Sequence, residues 1–176
     1  MLKELLFTKH APKAASPEDL AALEAKLSFK FPPAFVEFCS RWNGGFLSEQ
    51  NEFYPVPLPF TGYFDEYGTN AKGVLLSNLF GATEEFPQCS LLQEYLLTNQ
   101  FSDLGIIPIA DDLFGNQVVL SVGAVGGLVY WRDKDLWVTT ENPKAGPQTA
   151  MQPRLIPIAQ NLEYFYNSLT LDPNPN

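Results

Sequence analysis

The sequence predicts one domain that mixes helices with an antiparallel sheet, and three observations predict it. The first is the stretch from Leu104 to Trp131. Gly105 to Ala110 is rich in isoleucine and carries Pro108, and Asp111 to Asn116 is built from turn formers. Gln117 to Val122 then places Val118, Leu120 and Val122 on one side and Gln117, Val119 and Ser121 on the other, the period of a strand. Gly123 to Gly127 reverses the chain, and Leu128 to Trp131 returns as a third strand. Neighbours joined so tightly run antiparallel, because parallel strands need long crossovers. The second observation is apolar residues at helical spacing towards both ends of the chain. The third is size: 176 residues, 45% hydrophobic and 18% charged, fit a single domain that buries a core without staples.

Taken in order, Ser16-Pro17-Glu18-Asp19 opens a first helix. Ser16 is placed to cap it, Pro17 suits the first turn, and two acids face the positive end of the helix dipole. Leu20, Leu23 and Leu27 follow on one face. Phe31-Pro32-Pro33 breaks the chain, and a second helix begins at Pro33 or Ala34 with Phe35, Phe38, Cys39 and Trp42 as its apolar stripe. Asn43-Gly44-Gly45 stops it. One or two short strands are expected between Phe46 and Phe60, where the alternation of Pro55, Pro57 and Pro59 excludes a central position. Val74 to Phe80 is a further strand. Ser90-Leu91-Leu92-Gln93 has the pattern of a capping box and predicts a short helix to about Asn99. After the three-strand meander, Asp133-Lys134-Asp135 is expected to turn the chain into a strand at Leu136 to Thr139. Glu141 to Pro153 is expected as a loop, and a last helix from near Ile158 places Ile158, Leu162, Phe165, Tyr166 and Leu169 on one face. The tail from Asp172 is expected to fray.

Eleven basic against twenty acidic residues leave a net charge of −9. That sign argues against direct nucleic-acid binding, which needs basic residues to neutralise phosphates. It suits a basic protein partner, although an acidic balance also serves plain solubility. No run of about 18 apolar residues exists to span a membrane, and the N-terminus lacks the long apolar core of a signal peptide. Cys39 and Cys89 form no CxxC pattern and read as reduced thiols, so a cytoplasmic location is expected.

The residue inventory disfavours catalysis. His10 is the only histidine, which nearly excludes a histidine-based triad or a multi-histidine metal site. Cys39 lies on an apolar stripe and reads as core packing. Cys89 has no sequence-local activator. Asp111, Asp112 and Asn116 offer oxygens to a hard cation, but no further ligands follow at calcium-loop spacing. They read as a turn, and no metal or cofactor is expected. No glycine-rich phosphate cradle opens a helix, since Gly123 to Gly127 precedes a strand.

The order and spacing of these segments resemble the SUKH superfamily, specifically its cell-wall-assembly-regulator (Smi/Knr) type. The residues that carry the resemblance begin with the proline-started helix of Phe35, Phe38 and Trp42, followed by Asn43-Gly44-Gly45. Ile109-Ala110-Asp111, Gly115-Asn116, Val129-Tyr130-Trp131-Arg132-Asp133 and the C-terminal helix complete it, over roughly Ser16 to Leu169. Lys134 stands where the family often has a histidine, and the segment between Gly45 and Gly105 is longer than usual. The resemblance implies a single α+β domain: a mainly antiparallel sheet of about five to six strands packed with N-terminal and C-terminal helices. It also implies binding without catalysis. Bacterial members are typically immunity proteins that block a co-encoded polymorphic toxin, frequently a nuclease, and eukaryotic members are intracellular regulatory scaffolds. An immunity protein with a basic toxin domain as partner is therefore expected, and a regulatory interaction module is the alternative.

On that expectation the candidate partner contacts are Glu49, Glu52, Asp65, Glu66, Asp111 and Asp112, with Tyr63 and Tyr67 as aromatic anchors. Acids in loops beside rings fit the pattern in which rings bury and charges orient. The competing reading is that the rings cap the sheet and the acids keep the surface wet.

Overall fold

The computed structural model describes residues 12–46, 54–57, 73–97, 104–112, 114–122, 127–140 and 150–169. Ser16 caps helix α1 (Pro17–Leu27). Its Oγ accepts from Asp19 N at 3.1 Å, and Asp19 Oδ2 accepts in return from Ser16 N at 2.9 Å. Leu20, Leu23 and Leu27 are buried, as their spacing predicts. Helix α2 (Pro33–Arg41) starts on its proline and buries Phe35, Phe38 and Cys39. Its rings pack in file: Phe31 and Phe35 lie 4.7 Å apart, and Phe38 stacks on Tyr166 at 4.6 Å.

The stop after α2 is a close crossing of two backbones. Asn43 has φ 55° and Gly44 φ 89°. A β-carbon on Gly44 would meet Gly81 N and Leu79 O at 2.9 Å, and one on Gly81 would meet Asn43 O at 2.2 Å. Both distances are too short for any side chain, so the crossing needs glycine on each chain.

The sheet is antiparallel throughout. Its strands are β1 (Gly45–Phe46), β2 (Tyr54–Pro57), β3 (Gly73–Leu79), β4 (Ile106–Asp112), β5 (Gln117–Ser121), β6 (Val129–Thr140) and β7 (Ala150–Ala159). They run in the order β1-β3-β4-β5-β6-β7, and β2 also pairs with β3. β1 takes Asn78 and Leu79 while β2 takes Gly73 to Leu76, so two short strands share one side of β3. Helix α3 (Leu91–Leu97) lies between β3 and β4 in sequence, and helix α4 (Leu162–Ser168) closes the described chain. Asn161 caps α4, its Oδ1 accepting from Tyr164 N at 2.7 Å. The architecture is α+β, and the β4-β5-β6 meander is the one the sequence predicts.

Four local expectations fail. Asp111 and Asp112, expected in the turn and among loop acids, are the last residues of β4, paired with β3. Asp133-Lys134-Asp135 makes no turn: β6 runs through it, and its pairing with β7 is irregular between Arg132 and Trp137. The expected loop to Pro153 gives way to a strand from Ala150, and Ile158 belongs to that strand and not to the last helix. The prolines at 153 and 157 misled the reading. β7 ends the sheet order, where a proline whose nitrogen faces outward breaks no ladder bond. Pro108 does sit in an inner strand, beside a bulge between Pro108 and Ala110. The bulge turns Ile107, Ile109 and Ala110 all into the main core, which strict alternation forbids. That core fills one sheet face, beneath α1, α2 and α4.

Candidate functional site: a polar row on the second sheet face

Asp112 ends β4 and organises the turn into β5 from within. Its Oδ1 accepts from Phe114 N at 2.9 Å and Asn116 N at 2.8 Å. Its Oδ2 accepts from Asn116 Nδ2 at 2.9 Å and from Trp131 Nε1 at 3.1 Å. Asn116 Oδ1 then accepts from Lys134 N at 3.2 Å, which ties the turn to β6. Four donors saturate a carboxylate that is 5% exposed. Asp112 is thus a turn holder whose lone pairs are already used.

Asp111, one residue earlier, lies on the opposite face by the period of two. There the register aligns Asn78, Asp111, Gln117, Arg132 and Leu155 straight across β3 to β7. Asn78 donates to Asp111 twice, from N to Oδ1 at 2.8 Å and from Nδ2 to Oδ2 at 2.9 Å. Arg132 Nη1 donates to Gln117 Oε1, and Gln117 Nε2 donates to Glu94 Oε1 on α3. Gln117 is therefore the neutral bridge between a buried cation and an acid on the covering helix.

Burial pushes the Asp111 carboxyl up to about 6, against the two Asn78 bonds that favour its charge, and the nearby negative charges of Glu94 and Asp112 raise it further. Arg132 is 6% exposed; burial pulls its guanidinium down, while Glu94 and Asp133 favour the charged form. Removing one partner of such a buried set would leave the others uncompensated.

Apolar groups surround the row. Ile106 and Val119 form a small second core with half-buried Tyr95, Leu104, Tyr130 and Leu155. At the end of α3, two residues beyond Glu94, Leu96 is 64% and Leu97 79% exposed, and Phe114 at the β4–β5 turn is 71% exposed. Aromatic residues and arginine are enriched at protein-binding surfaces, so the exposed Phe114 and the half-buried Tyr95 and Tyr130 near Arg132 suit one. Nucleophilic chemistry has little support here. Burial raises both the Cys39 and the Cys89 thiol to about 12, which keeps them protonated. No cluster of three or more His, Cys, Asp or Glu residues able to hold a metal occurs among the described residues. Nor is any helix among them long and apolar enough to cross a membrane.

Of the candidate contacts read from sequence, Glu49, Glu52, Tyr63, Asp65, Glu66 and Tyr67 lie outside the described residues. Asp111 joins the row, and Asp112 turns inward beside it. Sequence reasoning missed Glu94, Gln117 and Arg132. The signal was present in part: Gln117 and Arg132 each alternate with core residues, but only the register puts them side by side.

No curated protein and no solved structure matches the chain. A model of the SMI1 / KNR4 family (SUKH-1) matches residues 14–168, which takes in the α2 stop, the β4–β5 turn and the polar row. The chain belongs to the SMI1 / KNR4 family (SUKH-1), which supports a protein-interaction domain.

Proposed function

We propose that this protein is a cytoplasmic immunity protein that binds and neutralises a basic toxin domain, without catalysis and without a cofactor. The observation that carries the reading is charge: a member of this family with −9 net charge suits a basic nuclease. An acidic surface steers such a partner and can stand in for phosphates. The proposed contacts are Glu49, Glu52, Tyr63, Asp65, Glu66 and Tyr67, together with Asp111 and the exposed Leu96, Leu97 and Phe114. Asp112 contributes by fixing the turn that presents Phe114.

The test starts from the neighbouring genes. Co-expression with the C-terminal domain of an adjacent large toxin should restore growth. Changing Asp65 and Glu66 together to lysine should slow association and flatten its salt dependence. A folded double variant with unchanged rates would remove those two residues from the interface. Absence of any toxin gene beside this one, or failure to protect, would hand the reading to a regulatory interaction module.

A further inference from the structure

A groove among the described residues and an apolar segment outside them fit each other. The groove, of about 390 Å³, runs between α2 and α4, and its walls are more apolar than polar. Buried Phe38 and Tyr166, stacked at 4.6 Å, back its floor, and half-buried Trp42 continues the file 6.1 Å beyond Phe38. Pro33 and Ala34 line it without a long side chain, which leaves room above them. Exposed Glu37 on α2 and Glu163 on α4 stand at its rims. Arg41, the one base among the described lining residues, is held by Glu37 at 3.0 Å, so the rims keep a negative balance. The segment is residues 1–11. Leu2, Leu5 and Leu6 recur there at the spacing of one helical face, and Phe7 follows them. Lys3 and Lys9 outweigh Glu4, so the segment is basic in a chain whose net charge is −9. Large apolar side chains so closely spaced gain wherever they meet an apolar surface.

The chain enters the described structure at one end of this groove. Pro12 is buried, Asn43 Nδ2 donates to Lys13 O at 2.9 Å, and Ala15 N donates to Cys39 O at 2.9 Å. Residues 13–15 therefore lie against the C-terminal end of α2, where Arg41 and Trp42 line the groove. From there the groove follows α2 back to Pro33, about 14 Å along a nine-residue helix. Residues 1–11 span about 16 Å as a helix and about twice that when extended, so they cover this length either way. We propose that residues 1–11 dock in the α2–α4 groove of their own chain, the leucines towards its aromatic floor and the lysines towards its acidic rims. The segment then acts as a strap across both helices, and a partner approaching this end of the molecule meets the strap and not the rings.

The test uses the full chain and needs no toxin, so its outcome is separate from that of the immunity reading. Cys39 and Cys89 are fully buried, so Thr8→Cys takes a nitroxide spin label selectively. In NMR spectra of the isotope-labelled protein, the backbone amides of Ala34, Glu37, Glu163 and Asn167 should lose intensity and recover it when the nitroxide is reduced. Leu5→Glu with Leu6→Glu, added to the labelled chain, should abolish that loss while the other signals stay in place. A mixture of spin-labelled chains without isotope and isotope-labelled chains without the nitroxide should show no loss at the groove. Intensity loss that misses the groove, spreads evenly over the surface or persists in the double glutamate variant would overturn the proposal. So would an equal loss in the mixture, which would seat the segment on a second copy.

Discussion

At the α2 stop, a β-carbon on Gly44 faces two backbone atoms at 2.9 Å and a positive φ at the same time. Backbone cannot give as a flexible side chain can, so Gly44→Ala should destabilise by at least about 2 kcal/mol, more than the conformational penalty alone. Gly81→Ala, with its 2.2 Å clash on Asn43 O, should cost more still. Urea melts of both variants check this, and a parent-like midpoint for Gly81→Ala would show that the crossing relaxes freely. The sequence made the helix stop legible, because Asn-Gly-Gly after an apolar stripe has few other uses. It hid the reason for Gly81, which is a contact with residues far away along the chain. The same holds for Asp112: its residue type marked a turn, but its bond to Trp131 Nε1 comes only from the folded register.

Where β3, β4 and α3 meet, the Asp111 carboxyl links stability to pH. Its folded value of about 6 lies above the ordinary aspartate value of 3.8, so the native state holds this proton more tightly than the unfolded chain. The sign follows: between those values the native state binds more protons, and stability attributable to Asp111 rises as pH falls. Measured against Asp111→Asn, the parent should gain stability from about pH 7.5 down to about pH 5. A difference that stays flat across that window would show that the carboxylate stays charged. Asp19 and Glu24 are held low, Asp19 chiefly by its Ser16 bonds and Glu24 by Lys30 and Phe31 N, so they act in the opposite direction below that window. Comparison with the asparagine variant cancels them. Among the elements, α1, α2 and the meander were legible because their apolar periods are undisturbed. β7 was not, because proline is the strongest local argument against a strand and only its place at the sheet's end overrules it.

Taken whole, the molecule repels itself: nine excess negative charges on 176 residues favour expansion. Raising sodium chloride from about 10 mM to about 150 mM should therefore raise the melting temperature by screening that repulsion. Magnesium or calcium at matched ionic strength should add nothing, because the four donors on Asp112 leave its oxygens no vacancy for a cation. A marked extra rise with either ion in differential scanning fluorimetry would point to specific binding by the native state. The α+β class and the protein-binding character were legible from segment order. The placement of the site was not, since the polar row exists only when four strands come into register and their alternation brings Asp111, Gln117 and Arg132 to one face.

The prolines at both margins of the sheet bear on how this molecule meets its neighbours. Pro55 and Pro57 lie in β2 at one side, and Pro153 and Pro157 lie in β7 at the other. A visiting strand needs a continuous rank of backbone donors, and each proline removes one. Along these stretches the protein is poorly suited to recruit a peptide by strand addition, to exchange strands with a second copy, or to seed fibres. Recognition is thereby directed away from the margins and towards side chains on faces, turns and clefts.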